Sequence, residues 1–282
     1  MPVIDTDKIS DLIKECAAEI ITPRFQQLQD HEIDTKTGPR DLVTQADIQA
    51  EAYLEKYLPS FLPGSIVIGE EGISRGDHQL EALSTSYDRA VWIVDPVDGT
   101  YNFVHGKPEF GVMVACIIDG EVQHSWIFDV IGEKMYAGEK GAGAFCNGSQ
   151  RLAVSQQRNL DDMVAHVSRR FFPEELQDHI RERMERFQSW MTVGAAAHEY
   201  TRVASGVSDV AVYSRLKPWD HLPGSLMVAE AGGYIAKWDG TPYSLADSYA
   251  GLIVTNSKDS WDAVHHMLFD GFDLTTFKRL SA

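Results

Sequence analysis

The chain has 282 residues, of which 44% are hydrophobic and 24% charged, so it can bury one large core or two medium ones. Its formal net charge of -17 excludes nucleic acid and anionic membrane surfaces as partners, because binding to either depends on clustered Lys and Arg. A small anionic substrate is compatible with this charge only if bound cations reverse the local field.

The three cysteines do not form a ligand set or a close pair. Cys16, Cys116 and Cys146 are far apart among apolar or small neighbours, which predicts reduced packing residues. The N-terminal segment has no basic region followed by an apolar run, and no stretch of about 18 uncharged apolar residues occurs in the sequence. We therefore expect a cytoplasmic protein that does not span a membrane.

The N-terminal region is predicted to be helical. Apolar residues between Ile9 and Ile21 recur at helical spacing, which predicts an amphipathic helix from residue 6 to about 29 with Asp5 or Thr6 as its cap. The polar stretch HEIDTKTGPRD that follows is expected to be a loop or hairpin.

A second helix and then a sheet follow. Thr44 and, three residues later, Asp47 predict the capped start of a helix from about 46 to 58. Four apolar or alternating runs after this helix predict strands, with a short turn at Gly120 between the last two: SIVIG, VWIVD, FGVMVACIID and EVQHSWIFDV.

The second half of the chain alternates strands with helices. The apolar runs MVAHV, DVAVY, GYIAKW and GLIVTN predict strands, and helical patterns lie near 174–187, 196–205, 221–231 and 259–268. This alternation predicts a layered α/β unit. We expect an N-terminal α+β domain over 1–152 and a C-terminal α/β domain over 153–282, with a cleft between them as a natural ligand site.

The stretch VWIVDPVDGT carries the most chemical information. A buried strand ends at Asp95, and Asp98 follows three residues later. Pro96 restricts the backbone and Gly99 permits a sharp change of direction, so both carboxylates can converge on one point. Hard cations such as Mg²⁺ prefer oxygen ligands in this arrangement, whereas a surface turn is the alternative for the motif in isolation.

Two other segments place acids at the ends of predicted elements. SIVIGEEG ends a strand with Glu70 and Glu71, and KPWDHLPG places Asp220 just before a helix. Each acid alone has another explanation, because a Glu-Glu-Gly corner is usually solvated and Asp220 could cap its helix. Three acidic segments of this kind are nevertheless typical of a metal site.

In this order, GEEG, DPVDGT, WD before a helix and EAGG resemble the inositol monophosphatase family, part of the lithium-sensitive phosphatase superfamily that includes fructose-1,6-bisphosphatase. The resemblance spans nearly the whole chain, since TKTGPRDLVTQAD is similar to the family's N-terminal loop and GEKGAGAFCNG to its mid-chain glycine segment. It implies a layered αβαβα sandwich and Mg²⁺-dependent hydrolysis of a small phosphate monoester, often by a homodimer.

The resemblance also implies a set of ligands for two or three Mg²⁺ ions. They are the side chains of Glu70, Asp95, Asp98 and Asp220 and the backbone carbonyl of Val97. Glu71 is expected beside the ligands rather than on the metal. From the residues alone Lys36 is a solvated loop lysine, whereas the resemblance places it beside the site.

Roles in catalysis and substrate binding follow from the same resemblance. Asp47, Thr100 and Glu70 are the implied catalytic residues, with Asp47 and Thr100 orienting and deprotonating the attacking water. For Asp47 the alternative is a capping role after Thr44. The implied substrate contacts are the backbone amides of Gly99 and Thr100 for the phosphate, as at other exposed turn amides, and Gly194, Ala196, Tyr213, Asp220 and Lys36.

Two departures from the family pattern concern the substrate. Ala195 replaces a hydroxyl residue, and Tyr213 occupies the position seven before Asp220 where inositol-specific members have an acid. A pocket without a polar partner for substrate hydroxyls discriminates less well. Inositol monophosphate or a similar polyol phosphate is the first expectation, and histidinol phosphate, fructose 1,6-bisphosphate and 3′-phosphoadenosine 5′-phosphate stay open.

Two further hypotheses belong to other classes. The fold could serve as a regulatory interaction protein that keeps metal for stability, although the complete carboxylate set favours an enzyme. A calcium-binding module is disfavoured because DPVDGT lacks the alternating oxygen ligands and the Glu at loop position 12 of an EF-hand.

Overall fold

The computed structural model describes residues 4–78, 89–168, 172, 174–244 and 251–272. The α-helices within these ranges are α1 (Thr6–Cys16), α2 (Gln45–Tyr57), α3 (Glu70–Arg75), α4 (Thr100–Val104), α5 (Glu174–Met184), α6 (Ala196–Ala204), α7 (Pro218–Glu230) and α8 (Lys258–Phe269). The strands are β1 (Ile33–Thr35), β2 (Leu42–Thr44), β3 (Ile66–Gly69), β4 (Val91–Asp98), β5 (Gly111–Ile118), β6 (Glu121–Asp129), β7 (Lys134–Glu139), β8 (Gly143–Cys146), β9 (Gln150–Arg151), β10 (Val164–Val167), β11 (Ser189–Met191), β12 (Val210–Tyr213), β13 (Tyr234–Lys237) and β14 (Leu252–Thr255).

The N-terminal helix is shorter than its periodicity predicts. Asp5 caps α1 by accepting a hydrogen bond from the Lys8 amide, and after Cys16 the chain continues as a π-helical turn over Ala17–Ile21 and a 3-10 turn over Thr22–Arg24. The helical path therefore ends before the expected residue 29, because Gln26 adopts a positive φ of 58° that no right-handed helix accommodates.

The expected hairpin and second helix are both present. β1 and β2 pair antiparallel, with Ile33 opposite Thr44. Thr44 then caps α2, and Asp47 completes a reciprocal capping box by accepting a hydrogen bond from the Thr44 amide. The strand that leads into α2 thus delivers Asp47 at a fixed position.

Two sheets organise the molecule. The larger sheet has the order β3-β4-β5-β6-β7-β8-β9, in which only β3 and β4 are parallel to each other. The smaller sheet has the order β11-β10-β12-β14-β13, with a parallel half and an antiparallel half. The first sheet ends at Arg151 and the second begins at Val164; the domain boundary at 152/153 stays a prediction.

Helices and sheets stack in five layers. One face of the large sheet packs on α1 and α2, and one face of the small sheet packs on α5 and α8. Between the sheets lie α6 and α7, whose buried side chains, such as Tyr200 and Met227, meet residues from both sheets. This is the αβαβα sandwich that the sequence predicts.

The buried residues agree with the other expectations from composition. Cys16, Cys116 and Cys146 are free and buried. Within the described ranges no helix combines the length and the apolar character that crossing a membrane would require.

Candidate metal centre

Three acidic side chains from separate parts of the chain converge at one point. Glu70, Asp95 and Asp220 each direct a carboxylate oxygen toward the others, and these oxygens all lie within 4.8 Å of one another. The three residues come from the start of α3, from β4 and from α7. All three residues were predicted as ligands from the sequence. The fold brings them together although 150 positions separate Glu70 from Asp220.

Strand pairing explains why the first two meet. β3 and β4 are parallel neighbours with Gly69 opposite Val94, so the next residues, Glu70 and Asp95, leave the same edge of the sheet side by side. The register of β4 against β5 then shifts between Asp95 and Asp98, which marks an irregularity where the chain turns toward α4.

Asp220 reaches the site from within a helix rather than from before one. α7 begins at Pro218, and Asp220 lies in its first turn, so the expected position just before the helix and the alternative of a helix cap are both wrong. Pro218 accounts for the early start. Its fixed φ suits the first helical turn, and its lack of an N–H costs nothing there, because first-turn amides have no intrahelical partner. The carboxylate is thereby free to face Glu70 and Asp95.

Asp98 has a different immediate environment from the other predicted ligands. Its Oδ2 accepts a hydrogen bond from the Ala197 amide at 2.6 Å, so it caps the N-terminus of α6 in place of Ala195, which has no capping group. Burial and the Asp220 charge raise the Asp98 pKa well above its usual range. Asp98 therefore lies beside the three-carboxylate group and ties β4 to the helical layer; its role as a metal ligand stays a prediction.

The electrostatics of the group are those of a cation site. Burial, and then the charges of Glu70, Asp98 and Asp220, raise the Asp95 pKa well above its usual range. Burial likewise raises the Asp220 pKa to about 6 despite the nearby Lys217. Buried carboxylates that repel one another are stabilised by a divalent cation, which removes the repulsion.

Glu70 differs because two ammonium groups contact it. Although burial acts to raise its pKa, Lys217 and Lys36 lower it to about 2. Lys217 Nζ lies 2.9 Å and Lys36 Nζ 3.2 Å from the same oxygen, Glu70 Oε1. Lys36 is therefore not the solvated loop lysine that the residues alone predict, because the β1–β2 hairpin folds its side chain into the site.

Glu71 lies next to the ligands, as expected. Lys36 Nζ contacts Glu71 Oε1 at 2.6 Å, and burial raises the Glu71 pKa to about 7. Its backbone amide donates to Glu51 Oε2 at 2.7 Å, and the Gly72 amide donates to Glu51 Oε1 at 2.7 Å. The buried Glu51 thus fixes the backbone that carries Glu70.

Glu51 and Lys217 contribute to this site, although the motifs of the sequence did not indicate either residue. Glu51 lies one helical turn after Asp47 on the same face of α2, and an acid on a buried helix face is a signal that could have found it. Lys217 directly precedes the PWD segment, but only the fold shows that its side chain turns toward Glu70 rather than toward solvent.

Thr100 and Asp47 are in contact, as their predicted joint role requires. Thr100 Oγ1 lies 2.9 Å from Asp47 Oδ1 and 3.0 Å from the Val97 carbonyl oxygen. Burial raises the Asp47 pKa to about 6, while Thr44 and Thr100 lower it. The capping role and the catalytic candidate role of Asp47 coexist, because Oδ2 caps α2 and Oδ1 faces Thr100.

Gly99 turns the chain between Asp98 and α4. It adopts a positive φ of 86°, and a Cβ at this position would lie 2.9 Å from the Ala195 Cβ and 3.0 Å from the Glu109 carbonyl oxygen. Only glycine fits both the conformation and the close approach. The contact also places the 194–196 segment against the DPVDGT turn.

Other predicted substrate residues surround this contact. Asn102 donates hydrogen bonds to the Val193 and Glu109 carbonyls, which anchors the segment containing Gly194. Tyr213 stacks on Tyr200 with ring centroids 5.2 Å apart. Burial and the Glu199 charge raise the Tyr213 pKa. The structure thus places Ala196 beside Asp98 and Gly194 beside Asn102, whereas substrate contact by Gly194, Ala196 and Tyr213 stays a prediction.

The donor set fits Mg²⁺. Glu70, Asp95 and Asp220 offer only hard carboxylate oxygens, in a partly buried group of excess negative charge. Asp98 and the Val97 carbonyl lie on the same β4–α4 segment as Asp95, and their part in metal binding stays a prediction. The group contains no sulfur ligand, so it does not favour metals that prefer thiolate ligands.

Comparisons with known proteins agree with this geometry. A family model described as the inositol monophosphatase family matches residues 6–268. The chain is similar to inositol-1-monophosphatase of Bacillus subtilis, with 28% identity over 92% of this chain and 93% of the relative. It is also 34% identical, over 74% of this chain and 76% of the relative, to fructose-1,6-bisphosphatase/inositol-1-monophosphatase of Thermotoga maritima. Among solved structures, a Thermotoga maritima IMPase superposes with a TM-score of 0.79 at 28% identity, covering 93% of this chain and 95% of that one.

Proposed function

This chain belongs to the inositol monophosphatase family and is a metal-dependent phosphomonoesterase, and we propose that it uses Mg²⁺ to hydrolyse inositol monophosphate or a similar polyol phosphate. The observation that carries the proposal is the convergence of Glu70, Asp95 and Asp220 next to the Thr100–Asp47 hydrogen bond. Metal-assisted hydrolysis by water requires carboxylates that hold a cation and a group that accepts the proton of the water. This site offers both, the second as a hydroxyl–carboxylate pair.

In this proposal Glu70, Asp95, Asp98 and Asp220, with the Val97 carbonyl, hold two or three Mg²⁺ ions. When bound, Mg²⁺ neutralises phosphate charge and lowers the pKa of coordinated water from about 16 toward 7. Thr100 and Asp47 position the attacking water and take up its proton, at Asp47 Oδ1 through the Thr100 hydroxyl. The Gly99 and Thr100 amides, at the turn into α4, bind phosphate oxygens in this proposal.

The polyol phosphate is favoured because the Bacillus subtilis and Thermotoga maritima relatives are both named as inositol-1-monophosphatases. The second of these names also includes fructose-1,6-bisphosphatase, which keeps a sugar bisphosphate as the alternative substrate. Ala195 and Tyr213 replace polar residues of inositol-specific members, so we expect weaker selection among alcohol groups than such members have.

The test is phosphate release from inositol 1-phosphate, histidinol phosphate, fructose 1,6-bisphosphate and 3′-phosphoadenosine 5′-phosphate, each with Mg²⁺ and with EDTA. We expect Mg²⁺-dependent turnover that is highest for inositol 1-phosphate and that disappears in Asp95→Asn. Highest turnover of another compound would replace the substrate and keep the chemistry. No hydrolysis of any of the four compounds would favour a regulatory interaction protein.

Three finer properties belong to the same proposal. We propose that the enzyme is a homodimer in the cytoplasm and that lithium inhibits it, as the family resemblance implies. Sedimentation at several protein concentrations tests the dimer, and adding Li⁺ to the Mg²⁺-dependent assay tests the inhibition.

A further inference from the structure

Lys217 occupies an unusual place for a lysine. It is the residue immediately before α7, three positions before Asp220, and its side chain is 28% exposed. Its Nζ lies 2.9 Å from Glu70 Oε1 and donates a hydrogen bond to it. The ammonium group is therefore located at one of the three carboxylates that converge in the metal centre.

The surroundings of Lys217 favour a positive charge. Its Nζ faces the Glu70 carboxylate at 2.9 Å, the Asp220 charge attracts it and the Arg215 charge repels it. The Trp219 ring lies 5.5 Å from Nζ and adds a favourable cation–π contact. The side chain thus contacts one predicted metal ligand, Glu70, and lies in the electrostatic field of a second, Asp220.

Glu70 Oε1 already has a second cationic partner. Lys36 Nζ lies 3.2 Å from the same oxygen and 2.6 Å from Glu71 Oε1. Lys36 therefore compensates Glu71 as well as Glu70, whereas Lys217 forms its ion pair with Glu70. Two ammonium groups thus meet at Glu70 Oε1, one of the carboxylate oxygens that the metal ion would need.

We propose that Lys217 is a built-in counter-ion of the metal centre, which competes with Mg²⁺ for Glu70 and sets the Mg²⁺ concentration at which the site fills. The inference rests on the Mg²⁺ site of the proposed function. It assigns Lys217 a charge-compensating role, without contact to the reacting atoms.

Coulomb's law gives the direction of the effect. A fixed positive charge beside the centre repels a divalent cation, and at an effective dielectric constant of about 20 the interaction at short range is large enough to change affinity at least about tenfold. Removing the charge should therefore strengthen Mg²⁺ binding. If Lys217 instead oriented Glu70 for the metal, removing it would weaken binding, so the sign of the change separates the two roles.

The experiment is calorimetric titration of Mg²⁺ into the metal-free protein for wild type, Lys217→Met and Lys217→Arg. Met keeps most of the aliphatic stem without the charge, and Arg keeps the charge. We expect the Mg²⁺ dissociation constant to fall at least about tenfold in Lys217→Met and to stay near the wild-type value in Lys217→Arg. Lys140→Gln is the matched control, because it removes an exposed lysine whose partner is Glu121.

Thermal unfolding provides a second readout that does not depend on activity. Without its counter-ion the metal-free site is more repulsive, so Lys217→Met should lose Tm in EDTA and recover it in saturating Mg²⁺. The Mg²⁺-induced rise in Tm should be larger for Lys217→Met than for wild type, and Lys140→Gln should show the wild-type rise.

Unchanged or weaker Mg²⁺ binding by Lys217→Met, or equal tightening in Lys217→Met and Lys217→Arg, would overturn the proposal. Phosphate release by the wild type tests the proposed function separately. A wild type that hydrolyses its substrate while Lys217→Met binds Mg²⁺ no more tightly would leave the phosphatase standing and remove the counter-ion role.

Discussion

Thr100 Oγ1 lies 2.9 Å from Asp47 Oδ1, although 53 positions separate the two residues in the sequence. The hydroxyl can pass a proton to a carboxylate whose pKa burial raises to about 6. We predict that Thr100→Val, which keeps the side-chain shape, lowers kcat about 100-fold or more, as is typical for loss of a general acid–base partner. Thr100→Ser restores the hydroxyl and should restore turnover. A Val variant with wild-type kcat would exclude the Thr100–Asp47 pair from catalysis.

The substitution Asp98→Asn removes the negative charge of this side chain and keeps its hydrogen-bond acceptor. An amide oxygen can still accept the hydrogen bond from the Ala197 amide, but the negative charge beside Asp220 is lost. We predict a fall in kcat of at least about 100-fold, since each loss of 1.36 kcal/mol of transition-state stabilisation costs a factor of ten. The Tm in EDTA should be unchanged or higher because a like-charge repulsion is removed. Asp98→Ala, which also loses the helix cap, should be less stable than Asp98→Asn, and equal Tm values would contradict the capping role.

Gly69→Ala should damage the site through Glu51. A Cβ at residue 69 would lie 2.0 Å from Glu51 Oε2 and 2.7 Å from its Cγ, and the two amide hydrogen bonds to Glu51 prevent its carboxylate from moving aside freely. We predict a loss of about 1–3 kcal/mol in the free energy of unfolding, the usual range for overpacking, together with weaker Mg²⁺ binding.

Gly38→Ala is the matched control for that change. Nothing lies within 4 Å of a Cβ built at Gly38, so this substitution should leave urea unfolding and Mg²⁺ binding at wild-type values. Equal effects of the two substitutions would show that Gly69 is not required for the approach of Glu51.

The metal-free protein should be less stable at alkaline than at mildly acidic pH. Burial raises the pKa of Glu51, Glu71 and Glu199 to about 7. As pH rises above the unfolded-state value of about 4.5, the unfolded chain loses these protons first, so the free energy of unfolding falls until about pH 7. Glu70 has a lowered pKa, so its stabilising contribution is complete above its unfolded value and does not change across this window.

Urea unfolding in EDTA checks this prediction, with a higher midpoint expected near pH 5.5 than near pH 8. Glu199→Gln should reduce the difference between the two midpoints, because glutamine has no carboxyl group to titrate. Its side-chain oxygen can still accept the hydrogen bonds that Glu199 accepts from the Val193 and Gly194 amides. A midpoint that rises with pH over the same window would contradict the raised pKa values.

Local sequence signals predicted most of the elements because their causes are local. Apolar alternation predicted β5 and β6, and Thr44 with Asp47 predicted the start of α2, since a capping box depends on residues three apart. The local signals gave the wrong bounds for two helices, where the backbone conformation at the helix ends differs from the periodic pattern. The first helix ends early at the turns after Cys16, and α7 starts early because Pro218 is itself a favourable first-turn residue.

The residue types available for metal chemistry can be identified from the sequence, since Glu70, Asp95 and Asp220 lie in motifs whose order resembles one family. Their arrangement depends on the fold, because the β3–β4 register aligns Glu70 with Asp95 and α7 adds Asp220 from the layer between the sheets. It also decided that Lys36 and Lys217 contact Glu70 and that Glu51 supports its backbone. The physical reason is that charge and burial depend on distances between groups far apart in sequence, which no local pattern of residues specifies.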